Sequence, residues 1–234
     1  MKPRDAIEFH QALAPEWELK YQKASFQSRD SLVMALLSRN SQKGQHWLDA
    51  GCGSGRFTRL LASRGATALG VDAAAGMVEA ASRLSSKEDL DLAGKLQFRQ
   101  IETIARLSLP DACMDGVLCN SVLEYLPDPD VALAEMVRVL KPGGSLLISV
   151  PNRRSVFRQA LVATLRLTRW LGHPKPAWLV HSVNEYRDED FGRKLELLGL
   201  RVKPPIFFGG ALPDSVRRLR RGGSLMFFEC FKSG

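Results

Sequence analysis

The sequence predicts an α/β fold: a doubly wound, mostly parallel sheet of seven strands, with a helical N-terminal cap and a helical insert after the fifth strand. Three observations carry this. Five short apolar runs, at 45–51, 67–72, 96–100, 115–120 and 145–151, alternate with segments of helix length. The first run leads into a glycine-rich turn, Trp47 to Gly55 reading WLDAGCGSG, which suits a strand handing over to a helix. Finally, 234 residues with 45% apolar and 25% charged side chains exclude disordered, collagen-like and disulfide-scaffold chains and suffice for a sizeable core.

Taken in order, residues 5–39 carry helical patterning, with Phe26, Leu32, Val33, Leu36 and Leu37 at spacings of three, four and seven on the second half. The strands are then QHWLDAG (45–51), TALGVD (67–72), LQFRQ (96–100), DGVLCN (115–120) and SLLISVP (145–151). Amphipathic stretches near 55–64, 75–84 and 130–140 fill the intervals, as crossover helices on the faces of a parallel sheet do. Pro142, Gly143 and Gly144 are expected to separate the last of these from its strand. DEDFGRKLELLG (188–199) reads as a helix ending at Gly199, and LRVKPPIFFG (200–209) and SLMFFECF (224–231) as the last strands. With no internal repeat and no long linker, residues 1–234 read as one domain. Its parts are a helical cap (1–40), a core (41–151), a basic helical insert (152–184) and a C-terminal helix with the last strands (185–234).

The net charge is +8, but it is not spread evenly. Residues 1–150 hold 17 Lys/Arg against 18 Asp/Glu, whereas residues 151–234 hold 16 against 7. The excess therefore sits in the last third and suggests an acidic partner, an anionic membrane surface or an anionic substrate. No run of apolar residues is long enough to span a bilayer, and the start, MKPRDAIEFH, lacks an apolar signal core, so a cytoplasmic protein is expected. Cys52, Cys113, Cys119 and Cys230 lack metal-type spacing and read as reduced thiols; no metal site is expected.

The glycine loop is the strongest chemical signal. Glycine lets the backbone turn sharply and lets a ligand approach without a Cβ in the way, and the following helix directs N–H groups toward the loop. The second strand ends in Asp72, which in a doubly wound sheet stands beside the first and is placed to accept two hydrogen bonds from a ribose diol. A dinucleotide site would want glycine where this chain has Arg56, and Asp49 inside the motif suits a cationic amino group better than a pyrophosphate.

With these residues the sequence resembles the class I S-adenosylmethionine-dependent methyltransferases, over roughly residues 17–151. WLDAGCGSG looks like the family's first motif, GVDAAAGMVEAA like its second-strand acid motif, and DGVLCNSVLEYLPDPDVALAEMVRVLKPGGSLLISVPN like its fourth-to-fifth-strand run. The nearest subgroup is the small-molecule type typified by ubiquinone-biosynthesis O-methyltransferases. WELKYQKASFQSRD, with Trp17, Tyr21, Phe26 and Arg29, is similar to its N-terminal lid. The resemblance implies a Rossmann-like methyltransferase fold, S-adenosyl-L-methionine as cofactor and S-adenosyl-L-homocysteine as product. It implies that Gly51, Gly53 and Gly55, with Cys52 between them, line the methionine part, that Asp49 faces its amino group, and that Arg29 with Tyr21 holds its carboxylate. Asp72 takes the ribose hydroxyls, Ala73 and Met77 flank the adenine, Ile101 and Glu102 meet its edge, and Asn120 and Leu123 lie beneath the methionine chain.

Two departures matter. Glu124-Tyr125 stands where the subgroup often has Glu-His, and CNSVLEY is not the signature of enzymes that methylate exocyclic amines of nucleic acids. A phenol or enol acceptor profits from a base, and His181, over the expected acceptor edge, is the first candidate with Tyr186 the second; His10 and His46 read as poorly placed. On a helical wheel Arg158, Arg166 and Arg169 share one arc, opposite Phe157, Ala160, Leu161, Thr164, Leu167 and Leu171, with Trp170 near the end. That pattern suits an interfacial helix on an anionic membrane, a lid over a hydrophobic acceptor, or ordinary packing. Arg217, Arg218, Arg220 and Arg221, without interleaved aromatics, are a weak nucleic-acid signal. The expected partner is therefore a small hydrophobic or amphipathic acceptor methylated on oxygen. An RNA methyltransferase and a non-catalytic cofactor-binding protein are the alternatives. The oligomeric state stays open.

Overall fold

The computed structural model describes residues 5–20, 24–85, 92, 94–169, 181–209 and 222–234. The cap comprises α1 (Ala6–Leu13), a short 3-10 turn (Ala14–Glu16), α2 (Trp17–Lys20) and α3 (Ala24–Asn40). The core alternates β1 (His46–Ala50), α4 (Arg56–Ser63), β2 (Thr67–Asp72), α5 (Ala75–Ser85), β3 (Leu96–Gln100), β4 (Met114–Asn120), α6 (Pro129–Val139) and β5 (Leu140–Pro151). Then follow α7 (Val156–Arg169), α8 (Asp188–Leu197), β6 (Leu200–Val202), β7 (Ile206–Phe208) and β8 (Leu225–Lys232).

The strands form one sheet in the order β3-β2-β1-β4-β5-β8-β6, with β7 also on β8. β1 to β5 are parallel neighbours, and β8 runs antiparallel to β5. The chain winds outward from β1 to β3 on one side and from β4 to β5 on the other. The carboxyl ends of β1 and β4 therefore bound the crevice where such sheets bind ligands.

Both faces are covered, which is why the central strands are apolar throughout rather than alternating. Leu48, Val117, Ile148 and Phe228 point into one core with Leu133, Met136 and Phe191 of α6 and α8. Their neighbours Trp47, Leu118, Leu147 and Phe227 point into the other, with Val33, Leu36 and Leu37 of α3 and Phe57 and Leu61 of α4.

Three expectations change. The sheet has eight strands, because Pro204-Pro205 divides the predicted run 200–209 into β6 and β7. Val202 pairs with Cys230 and Ile206 with Phe227, so the edge strand carries one residue more than its partner, a bulge that tolerates prolines lacking N–H donors. Pro142, Gly143 and Gly144 do not precede the fifth strand but lie within it, in a register shift where Gly143 takes φ +77°. Finally, Arg158 does not lie on an exposed basic face. It is buried, donating from Nε to Glu185 Oε1 at 2.7 Å and from Nη2 to Ser182 at 3.1 Å, while Ala160 and Thr164 of the expected apolar face are exposed. A guanidinium with a carboxylate partner within reach goes inward where an unpaired one would not. The side chains of Arg166 and Arg169, with Trp170, His173 and Arg217 to Arg221, lie outside the described residues. Among the described residues no helix is long and apolar enough to cross a membrane.

Candidate active site

The glycine loop leaves β1 and is tied at once to β2. Gly51 N and Cys52 N both donate to Val71 O, at 2.8 and 2.9 Å. Gly51, Gly53 and Gly55 take φ of +79°, +54° and +78°, a region costly to residues with a Cβ. At Gly55 a Cβ would also stand 2.5 Å from the Phe98 ring, so the turn into α4 has no room for a larger residue.

Asp72 fastens the loop. Its Oδ2 accepts from Gly53 N and its Oδ1 from Ala74 N, both at 2.9 Å. Burial raises the Asp72 pKa, against these hydrogen bonds and the nearby His10, which lower it. Asp49 lies deeper and accepts from Thr58 Oγ1 at 2.6 Å. Burial pushes it up to about 7, and the charge of Asp72 adds to the rise. Two buried carboxyl groups beside a bare glycine backbone form an acceptor set that suits a cationic amino group and a diol, the groups of S-adenosyl-L-methionine. The residues present fit that cofactor.

The residues expected to meet the adenine lie just after β2, on α5 and just after β3. Met77 is buried with Ala74, Ala14 and Trp17, Ala73 is half-buried with its carbonyl accepting from Gln100 Nε2 at 3.3 Å, and Ile101 N donates to Asp72 O at 3.0 Å. Glu102 is exposed, the outermost of this group. Asn120 ends β4, where Ser149 Oγ donates to its Oδ1 at 2.9 Å and accepts from Ser121 N at 2.8 Å. Ser121 then takes φ +58°, a left-handed turn that costs a non-glycine residue roughly 1–3 kcal/mol and redirects the chain at the crevice. Leu123 is fully buried in the core below. Arg29 reaches this corner from α3, with Nη1 3.4 Å from Ser121 Oγ, and its neighbour Asp30 meets Arg56 of α4 at 2.9 Å. Tyr21 lies outside the described residues.

The cap closes over the loop. Gln11 Oε1 accepts from Gly76 N at 2.8 Å, and the Trp17 indole nitrogen lies 3.4 Å from where a Cβ on Gly53 would stand. A ring cluster continues from there: His10 meets Trp17, Tyr125 and Phe9 at centroid distances of 5.6, 4.8 and 5.1 Å, and Phe9 stacks on His181 at 5.1 Å. The return segment of the insert is stapled to the turn after β4. Val183 N and Asn184 N donate to Glu124 O, and Asn184 Nδ2 donates to the carbonyls of Leu123 and Leu126 at 2.9 and 2.7 Å.

His181 therefore stands at the crevice, on Phe9. Tyr186 does not suit the role of base: its ring packs on Phe191 at 4.7 Å, and its buried hydroxyl has a pKa raised by burial and by Asp130 and Glu124. His10, read from the sequence as poorly placed, lies between Trp17 and Tyr125, because α1 packs on α5. Glu124 is also in the site. It is 4% exposed, burial pushes its pKa up to about 7, and Arg29 and Arg158 both act on it. His10 carried no local signal of this placement, since it depends on contacts between segments far apart in the chain, whereas Glu124 stands in the Glu-Tyr pair already noted.

Comparison with known proteins agrees with this geometry. Residues 48–148 match the family described as "Methyltransferase domain". The chain is 35% identical over 167 residues to a ubiquinone biosynthesis O-methyltransferase of Pseudomonas putida (strain GB-1), covering 70% of this chain and 68% of that protein. It is 33% identical over 163 residues to the protein so named in Methylococcus capsulatus, covering 69% of this chain and 66% of that one. This chain belongs to the class I S-adenosylmethionine-dependent methyltransferases. It spans about two thirds of the length of these curated relatives. Among solved structures, magnesium protoporphyrin IX methyltransferase from Synechocystis, with bound S-adenosylhomocysteine, has a TM-score of 0.65 at 17% identity, over 100% of this chain and 90% of that one. The Haloferax volcanii complex of the Trm112 methyltransferase activator and a methyltransferase has a TM-score of 0.70 at 19% identity over 100% of both chains. At that identity these two establish the fold. The methyltransferase membership assigns S-adenosyl-L-methionine as the cofactor.

Proposed function

We propose that this methyltransferase transfers its methyl group to an oxygen atom of a small hydrophobic or amphipathic molecule. The observation that supports this reading is the wall facing the glycine loop, where Phe9, His10, Trp17, Tyr125 and His181 form a continuous group of rings. Such a wall favours a flat apolar body with a polar edge. The names of the curated relatives support oxygen as the receiving atom.

The bound cofactor supplies an activated methyl group on a sulfonium and a neutral thioether leaving group. What remains for the chain is alignment and water exclusion, and holding two reactants in line contributes up to ~7–11 kcal/mol. Asp72 and the loop would fix the ribose end, Asp49 and Arg29 the amino-acid end, and the cap would cover both.

The test is transfer of labelled methyl from S-adenosyl-L-methionine by the purified protein to three acceptors offered together: an alkyl-substituted phenol, an arylamine and transfer RNA. Label is expected on the phenol oxygen. Label confined to RNA or the amine would refute the reading.

A further inference from the structure

We propose that His10 of α1 is the base that takes the proton from the acceptor hydroxyl, a role that rests on the oxygen acceptor proposed above. Its Nδ1 lies 2.7 Å from Ala6 O. A carbonyl only accepts, so Nδ1 carries the hydrogen and the lone pair belongs to Nε2. That bond also orients the ring, as the third member of a base–orienter arrangement does. The ring is held further by edge contacts to three aromatics, at interplanar angles of 75° to Phe9, 61° to Trp17 and 78° to Tyr125.

The position is as telling as the orientation. Trp17 lies against Gly53 of the cofactor loop, Tyr125 belongs to the turn after β4, and the imidazole is near enough to Asp72 to be felt there. His10 thus sits at the seam where a cofactor methyl group and an acceptor must meet. Among the described residues its titratable neighbours include Asp72 from β2, Tyr125 from the turn after β4 and, across Phe9, His181 from the return segment. The Tyr125 hydroxyl is pushed up by burial and does not compete for the proton near neutrality. His181 stacks flat on Phe9, at 29°, one ring further out.

The step balances. The acceptor O–H bond breaks and its proton passes to Nε2. The oxygen electron pair forms the bond to the methyl carbon, and the carbon–sulfur pair returns to sulfur. The imidazolium then releases the proton to solvent.

The test uses 4-nitrophenol bound to the protein loaded with S-adenosylhomocysteine, its ionisation read by absorbance. An imidazole poised beside the hydroxyl should lower the apparent pKa of the bound phenol by ~1 unit or more. His10→Gln should abolish that shift while leaving the affinity for S-adenosylhomocysteine within about threefold, and His181→Gln should keep it. In turnover, added imidazole should restore methyl transfer to His10→Ala. A shift that persists in His10→Gln, or a bound phenol with unshifted pKa in the unaltered protein, would overturn the proposal. Failure of nitrophenol to bind at all would instead contradict the acceptor class, and the base would fall with it.

Discussion

The two walls of the crevice are built by different means. On the cofactor wall the acids are fixed by partners close by in the chain, from the loop ends and the first turn of α4: Asp72 holds Gly53 and Ala74, and Asp49 holds Thr58. On the acceptor wall the rings come from α1, α2, the turn after β4 and the return segment of the insert, and the polar groups behind them are poorly satisfied. Glu124 Oε2 and Tyr186 Oη are buried without a hydrogen-bond partner among the described residues. The cofactor wall is therefore a property of a short motif. The acceptor wall is a property of how distant segments pack, and its unsatisfied groups leave it energetically open to change.

The sharpest way to break this contrast is Asp72→Ala. Removing the acid that ties the loop, and that is expected to take the ribose hydroxyls, should weaken S-adenosyl-L-methionine binding by over ~10-fold, more than ~1.4 kcal/mol, by titration calorimetry. The affinity for a phenolic acceptor should change less than about twofold. Equal losses on both sides would abolish the distinction.

Glu124→Gln probes the other wall. Its folded pKa of about 7 lies above its ordinary value, so between the two the folded protein keeps a proton that the unfolded chain has released. Stability that this group contributes in acid is then lost as pH rises toward 7. Glutamine keeps the shape and removes the ionisation. The variant should match the parent near pH 4 and exceed it by up to ~3 kcal/mol near pH 8 in denaturant melts, since the pKa of about 7 already includes the opposing pull of Arg29 and Arg158. A variant less stable at both values would mean that the carboxylate is a structural anchor.

A smaller effect separates Asp49 from its neighbours. Its pKa of about 7 means that it ionises over the neutral range, and a cofactor amino group bound beside it would favour the charged form. Affinity should rise about fivefold from about pH 6 to about pH 8, and Asp49→Asn should flatten the profile. The smallest effect is expected at Tyr186, where Phe should leave turnover within about twofold, because the hydroxyl is buried behind the rings.

The same contrast explains what the sequence made legible. Strand alternation, the loop and Asp72 each carry a local signature of spacing or turn chemistry, and the boundaries of β1 to β4 follow from it within a residue, whereas β5 begins at Leu140 rather than at 145. The run 200–209 read as one strand, because whether Pro204-Pro205 ends a strand or bulges it depends on the pairing with β8. Arg158 read as part of a basic face because a wheel takes no account of Glu185, 27 residues on. His10 read as peripheral because nothing local says that α1 packs on α5. The misreadings of Arg158 and His10 are both contacts between segments distant in the chain.

The most direct test of the whole account supplies deuteromethyl-labelled S-adenosyl-L-methionine and the purified protein to an extract of cells lacking this chain, and follows the label by mass spectrometry. The account predicts label in a lipophilic small molecule as an O-methyl ether, lost with Asp72→Ala. Label only in RNA or protein, or an equal yield from Asp72→Ala, would contradict it.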